Sequence, residues 1–376
     1  MSRKYSGMTD AGPQSGKGRQ RLSSARDELS ELFVPRSSDR PWAYPVAIAF
    51  AAALPLFIGA GFGAISQATI ASIGAMTLTY MPRSTLDRRL VTIMAAASGM
   101  ICCFALGQIA QIMPELRVFS LVLVTFFVTC GCRYYRIAPP SNLFFVIAAS
   151  IGAYVPGGLE QMPQRLGIFA LGCMSAIIVG FFYSWYITRR REPVDPEPPP
   201  KDIAGDVITD SLAFAFIIGL ALAMAERLGF DRPYWVTISC LAVLQGPHLK
   251  AVWRRQLQRI IGTMVGLLLT AFVLSLADTP WHLAITVFVL MFLIQAIVVR
   301  NYAMAAVFIT PYAITLAEAT IGGTVNPAPL MAARFLDTVL GSLMGLLGGF
   351  LLHVDAIRNP VRCAVIRVLR LRPVRQ

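Results

Sequence analysis

The chain is a succession of apolar runs, many of them long enough to cross the hydrocarbon core of a bilayer, with most of its charge confined to the short gaps between them. A helix needs about 20 apolar residues to make that crossing. Backbone facing lipid must satisfy its own N–H and C=O groups, so such runs fold as helices. On that ruler, spans fall near 42–63, 66–81, 90–112, 118–134, 142–157 and 165–187. A second set falls near 208–228, 233–246, 258–277, 281–299, 302–321 and 334–353. The runs at 66–81, 142–157 and 233–246 are short enough to be re-entrant or broken. The expected fold class is all-α integral membrane, with about twelve transmembrane helices. Only 14% of the residues are charged, where soluble domains carry about 25%.

Between the sixth and seventh runs stands TRRREPVDPEPPPKD, Thr188 to Asp202, whose prolines and alternating charges predict an extended, hydrated linker. The expected organisation is a basic tail (1–41), a six-helix unit (42–187), the linker (188–207), a second six-helix unit (208–353) and a basic tail (354–376). The first run is longer than a signal-peptide core and lacks a cleavage site, so it reads as a retained helix. With the amino terminus placed in the cytoplasm, 28 of the 33 Lys and Arg residues fall on the cytoplasmic side. Only Arg117, Arg165, Arg227, Arg232 and Arg334 then lie outside, which orients the chain with both termini in the cytoplasm.

The same bias accounts for the net charge of +13. The basic residues are dispersed over many short connections with no aromatic-interleaved patch, so nucleic acid is not an expected partner. The seven cysteines have no ligand spacing and read as small packing residues. His248, His282 and His353 are far apart, and no phosphate loop or nucleophile motif occurs. The expectation is a protein that is not an enzyme and that needs no metal or cofactor.

The two sets of spans resemble each other. Arg88, Leu90, Ile93 and Gly99 return 167 residues later as Arg255, Leu257, Ile260 and Gly266. Met162, Arg165, Leu171, Gly172, Gly180 and Phe181 return 169 residues later as Met331, Arg334, Leu340, Gly341, Gly349 and Phe350. Six helices per unit is an even number, so the units are expected to be parallel repeats about an axis along the membrane normal.

The stretch YWVTISCLAVLQGPHLKAVWRRQLQRIIGTMVGLLL, Tyr234 to Leu269, resembles the core motif of the fusaric-acid-resistance-like (FUSC) family. Its markers are the Tyr–Trp pair, a short helix ending near Gln245 and Pro247, and Arg259, Gly262 and Thr263. RNYAMAAVFITPYA (Arg300 to Ala313) and ARFLDTVLG (Ala333 to Gly341) are similar to the same family. The likeness covers most of residues 208–353. It implies a bacterial inner-membrane exporter of the aromatic acid exporter type, with a periplasmic adaptor protein as a partner in some members. A passive anion channel and an accessory subunit of an efflux assembly stand as the alternatives. The expected partners are the lipid bilayer, small organic anions and protons, and a homo-oligomer is compatible with all of these.

Several residues are candidates for the chemistry. Arg255, Arg259, Gly262 and Gly266 fall at i, i+4, i+7 and i+11, one face of a helix. Glycines there let two backbones approach closely, and Gly341 belongs to the same class. The arginines are either topology signals or an inner mouth that concentrates anions. Acids inside apolar spans are costly and therefore informative. Asp210 continues a stripe with Asp202 and Asp206, read either as a solvated face pairing with Arg189 to Arg191 or as part of the path. Glu318 lies toward the outer part of its span. Arg334 and Asp337 are spaced i, i+3 and are expected to pair, either as a static brace or with Asp337 as the proton-coupling acid. Thr310 and Pro311 are expected to kink or break their helix.

Overall fold

The structure is a computed structural model that describes residues 40–190, 204–321 and 327–368. Nearly all of the basic amino-terminal tail, most of the Pro-rich linker (191–203), residues 322–326 and the last residues (369–376) lie outside the described part.

Among the described residues, helices lie in each of the apolar runs. In chain order they are α1 (Ala43–Phe62), α2 (Ile65–Gly74), α3 (Leu86–Ile109), α4 (Arg117–Tyr134), α5 (Leu143–Tyr154) and α6 (Met162–Thr188). The carboxy-terminal half continues with α7 (Ala204–Arg227), α8 (Pro233–Leu244), α9 (Leu249–Leu276), α10 (Pro280–Ile297), α11 (Tyr302–Ile321) and α12 (Pro327–His353). Among the described residues there is no strand, and nine helices are long and apolar enough to cross a membrane. This makes the protein a multi-pass, all-helical membrane protein. The three short runs fall below that count. α5 and α8 have 12 residues each, about 18 Å of helix against a core of about 30 Å. α2 gives way at Ala75 to a 3-10 segment that runs to Tyr80.

The packing follows one scheme in both halves. α1 packs on α2 and α6, and α7 packs on α8 and α12. α3 packs on α5 and α6, and α9 on α11 and α12. Between the halves, α10 lies on α1 and α4 on α7, while α11 touches α2 and α5 touches α8. The two halves are therefore interleaved, each supplying its fourth and fifth helices to the other.

Side-chain contacts sort the connections into two ends. At the end rich in basic residues, Gln245 donates to Asn142 at 2.8 Å, and Asn142 donates to Thr129 at 2.8 Å. At the opposite end, the Tyr154 hydroxyl donates to Glu226, and the Arg117 guanidinium lies 5.0 Å from the Tyr154 ring.

Two sequence expectations change here. Of the expected kink or break at Pro311, the break does not occur: α11 runs unbroken through it. The proline lacks an N–H, so the Val307 carbonyl loses its helical donor, while Thr310 Oγ1 donates to Ala306 O at 3.0 Å in the same turn. The Val307 oxygen instead meets α9, where a Cβ on Gly266 would stand 2.6 Å from it. The carboxy-terminal 354–376 segment is more than a tail: Asp355–Val368 form a further helix, α13, on α7 and α12.

The close approaches are backbone contacts. A Cβ on Gly262 would lie 2.5 Å from Ala306 Cβ and 2.8 Å from the Ala303 oxygen. On Gly341 it would lie 2.3 Å from the Val236 oxygen. From the sequence, Ala would be nearly tolerated at Gly262 and Gly266, but these distances leave no room even for a methyl group. Gly341→Ala and Gly266→Ala are expected to destabilise by about 1–3 kcal/mol, the usual cost of overpacking a filled interior. Thermal unfolding of the detergent-solubilised protein measures this. An unchanged melting temperature in both variants would mean that the helices can part without cost.

Candidate functional site

α8 begins at Pro233, whose missing N–H costs nothing in a first turn. Trp235, Ser239 and Ala242 fall at i, i+4 and i+7 along it, and so share one face. Four arginines from three segments attend that face. Arg232, just before α8, and Arg334 of α12 hold their guanidinium carbons 5.1 Å and 4.7 Å from the Trp235 ring centre. Arg259 of α9 reaches Ser239 Oγ at 3.4 Å and the Tyr302 hydroxyl at 3.5 Å, both at the long limit of hydrogen bonding. Arg255, one turn earlier on α9, donates to Ala242 O at 3.3 Å and lies 5.3 Å from the Tyr302 ring centre. Arginine thus follows arginine along α8, from the start of the helix to its last turn.

The charge balance of this region is unusual for the interior of an apolar bundle. Arg334 is 2% exposed, Arg259 3% and Asp337 0%. Neither oxygen of Asp337 has a hydrogen-bond partner, and Arg334 Nε and Nη1 and Arg259 Nε also lack one. Arg334 and Asp337 act on each other through space, and Arg259 acts on Arg334. They do not form the ion pair expected from their spacing, because Arg334 places its guanidinium over Trp235 instead. The face of a tryptophan is the most favourable aromatic site for a cation. A desolvated guanidinium with donors to spare is a ready site for a carboxylate or similar anion.

The remaining candidates divide. Gly262 and Gly266 put α9 against α11, and Gly341 puts α12 against α8. Thr310 is buried at the Gly266 contact. Glu318 is partly exposed on α11 within the field of Arg232. Asp210 stands apart, at the basic end. It pairs with Arg133 at 2.7 Å and Arg358 at 3.1 Å. Asp210 takes these partners rather than Arg189 or Arg190, which lie over Trp185 and Tyr186; Arg191 and Asp202, also named in the expected stripe and its pairing, lie outside the described residues. In the sequence Trp235 stands out only within the Tyr–Trp pair and Arg232 only as an outer basic residue, and Ser239 and Tyr302 do not stand out.

Among the described residues, the amino-terminal half has no counterpart to this cluster. Arg165, at the position matching Arg334, donates to Gly158 O and to Gln161 Oε1 at 3.2 Å and 3.0 Å, within its own turn and loop. Ile168 takes the place of Asp337. Phe104 and Phe169 stack at 4.4 Å in the interior of that half. Among the described residues no cluster suited to a metal occurs. The histidines serve locally: His248 Nδ1 caps α9, His353 meets Gly246 O, and His282 meets Asp278. The hydrogen bond from His282 holds the exposed Asp278 carboxyl below its usual range.

Residues 218–348, which contain this cluster, match the family model described as fusaric acid resistance protein-like. Over 169 residues, 43% of this chain, the sequence is 32% identical to an uncharacterized membrane protein, YvaC, of Bacillus subtilis (strain 168), covering 27% of that protein. An uncharacterized protein of Neisseria gonorrhoeae is 24% identical over 38% of this chain and 34% of its own length. One from Synechocystis is 25% identical over 39% of this chain and 19% of its own. The chain therefore spans about a fifth to a third of the length of the curated relatives it matches. No solved structure matches.

Proposed function

We propose that the cluster on α8, α9, α11 and α12 is the binding station of a secondary transporter for small organic anions. By resemblance to the aromatic acid exporter type, these are aromatic carboxylates moved out of the cell. One observation carries the reading: among the described residues Asp337 is the one buried carboxylate, its oxygens accept no hydrogen bond from either buried guanidinium, and Arg259 and Arg334 instead meet hydroxyls and a ring. A charge left uncompensated inside a membrane costs several kcal/mol, with the amount depending on depth and water access. An arriving anion removes that penalty.

Asp337 is the natural proton carrier of this station. With no anion present, the ionised carboxylate partly offsets Arg334. An anion brings a second negative charge to the same place, and Asp337 then takes up a proton. Proton and anion thus bind together, because each favours the other by the same coupling energy. Because the two move together, export in this scheme runs down an outward gradient of the acid, and an inward proton gradient opposes it rather than driving it.

Two parallel six-helix repeats are the framework for this reading. Their support is the packing scheme, in which each contact within one half has its counterpart in the other, and the same holds between the halves. The basic end would face the cytoplasm of a bacterial inner membrane, in keeping with the distribution of Lys and Arg.

A passive anion channel is the second reading, and the succession Arg232, Arg334, Arg259 and Arg255 along α8 favours it. Proteoliposomes loaded with benzoate, with an internal pH dye and a voltage clamp by valinomycin and potassium, separate the two. The carrier is expected to release benzoate with alkalinisation of the lumen and no dependence on voltage. Current that follows the clamp without a pH change would favour the channel. No flux in either mode would remove transport and leave an accessory subunit.

A further inference from the structure

The basic end of the amino-terminal half holds a second group of arginines, which shares no residue with the anion station. It gathers at the start of α3. That start is open, because its cap residue, Thr85, makes no side-chain capping hydrogen bond. The first N–H groups of a helix have no partner within it, and together they attract anions. Arg89 bends back from the first turn toward this end, and its Nε donates to Ser84 O at 2.7 Å. Arg89 is 7% exposed and Ser84 3%. Arg89 Nη1 and Ser84 Oγ nevertheless have no hydrogen-bond partner among the described residues. Two buried donors are thus left over beside one open helix terminus.

More positive charge surrounds them. Arg40 holds its guanidinium carbon 5.2 Å from the Tyr44 ring centre, and the Tyr44 ring lies 5.7 Å from that of Tyr183. Arg40, Arg83 and Arg89 all act on the Tyr44 hydroxyl. The titratable groups that act on Arg89 are Tyr183 and Tyr44, with no carboxylate among them. Asp87 of the first turn is exposed. Two residues along a helix is about 200° of rotation, which sets Asp87 on the far side from Arg89. In the carboxy-terminal half the chain itself fills the matching place: His248 Nδ1 accepts from Ala251 N at 3.1 Å at the start of α9. Gln256 stands there 167 residues after Arg89.

We propose that the start of α3 is a phosphate-binding site, with Ser84 Oγ, Arg89 Nη1 and the first N–H groups of the helix as donors, and Arg83 and Arg40 at its rim. A phosphate group offers three or four oxygens to donors that point in different directions, where a carboxylate offers two. Guanidinium is also the side-chain group best matched to phosphate in shape and charge. Basic pockets between membrane helices take the headgroup phosphate of anionic lipids, and a phosphate ion in solution presents the same chemistry.

The two sources are tested separately on the full chain in neutral detergent. Isothermal titration with inorganic phosphate, against chloride at equal ionic strength, probes the free ion. Native mass spectrometry with added phosphatidylglycerol probes the lipid. At least one of the two is expected to bind the wild type saturably. Arg89→Gln should weaken that binding about tenfold or more, the usual effect of losing a hydrogen bond to a charged group. The double variant Ser84→Ala, Arg83→Gln should weaken it as well, and it keeps the test open should Arg89→Gln fail to fold. Arg334→Gln should bind as the wild type does. Binding of phosphate alone assigns the site to a soluble phosphate, and binding of the lipid alone assigns it to a headgroup. Binding of neither overturns the proposal, and so does undiminished binding in the double variant. Loss of binding in Arg334→Gln would place the phosphate in the anion station and overturn it too.

Discussion

Arg334→Gln is expected to abolish saturable anion binding while raising the melting temperature of the ligand-free protein. Truncating one partner of a desolvated charge pair costs about 2–5 kcal/mol, which is about 30-fold to several thousand-fold in affinity. Gln keeps a side chain beside Trp235 without the cation, so the apolar shell of the station persists. Removing a buried, incompletely balanced charge relieves a penalty that only the ligand would otherwise relieve. Function and stability should therefore move in opposite directions at this position. Differential scanning of the purified variant, with and without benzoate, measures both. A drop in melting temperature with ligand stabilisation intact would make Arg334 a structural residue.

Asp337→Asn separates a coupling acid from a brace. As the coupling acid, its loss should leave folding nearly intact and permit downhill anion exchange. Net movement of benzoate driven by an imposed pH gradient should vanish. The pH dependence of binding has a definite sign: in the wild type, affinity rises as pH falls, because the protonated station carries more positive charge. In the Asn variant that slope should be flat, with affinity held near the wild-type acid limit. As a brace, the carboxylate would instead be missed chiefly in stability, and residual transport would stay proton-dependent. A stable Asn variant that still moves anion along a pH gradient removes Asp337 from the mechanism.

The positions of the helices could be read from the sequence because apolar length alone sets them, and the ends of α1, α10 and α11 fall within a few residues of their runs. Partners in space were harder to read. Asp210 finds Arg133 and Arg358, 77 and 148 residues away, so a local reading reached for Arg189 to Arg191 instead. The i, i+3 spacing of Arg334 and Asp337 was correctly on one face, yet Trp235 from another helix takes the guanidinium. Pro311 does not break α11, and the carbonyl it frees packs against Gly266. The pattern of α13 was present in Ile357, Val361, Val365 and Val368. Its arginines, counted only as charge, made the segment read as a tail.

The lending of helices between the halves also bears on how the protein is made. α1 emerges early, but the face it offers to α10 has no occupant until roughly 220 more residues have been synthesised. At about 5–20 residues per second, that interval is on the order of 10–45 s. α4 waits for α7 in the same way, across the Pro-rich stretch, though for a shorter time. An amino-terminal half released into the bilayer on its own would keep both faces open to lipid or to another chain. Assembly of this protein is thus a matter of timing as well as of contact: its first helices must persist unpartnered until their counterparts arrive.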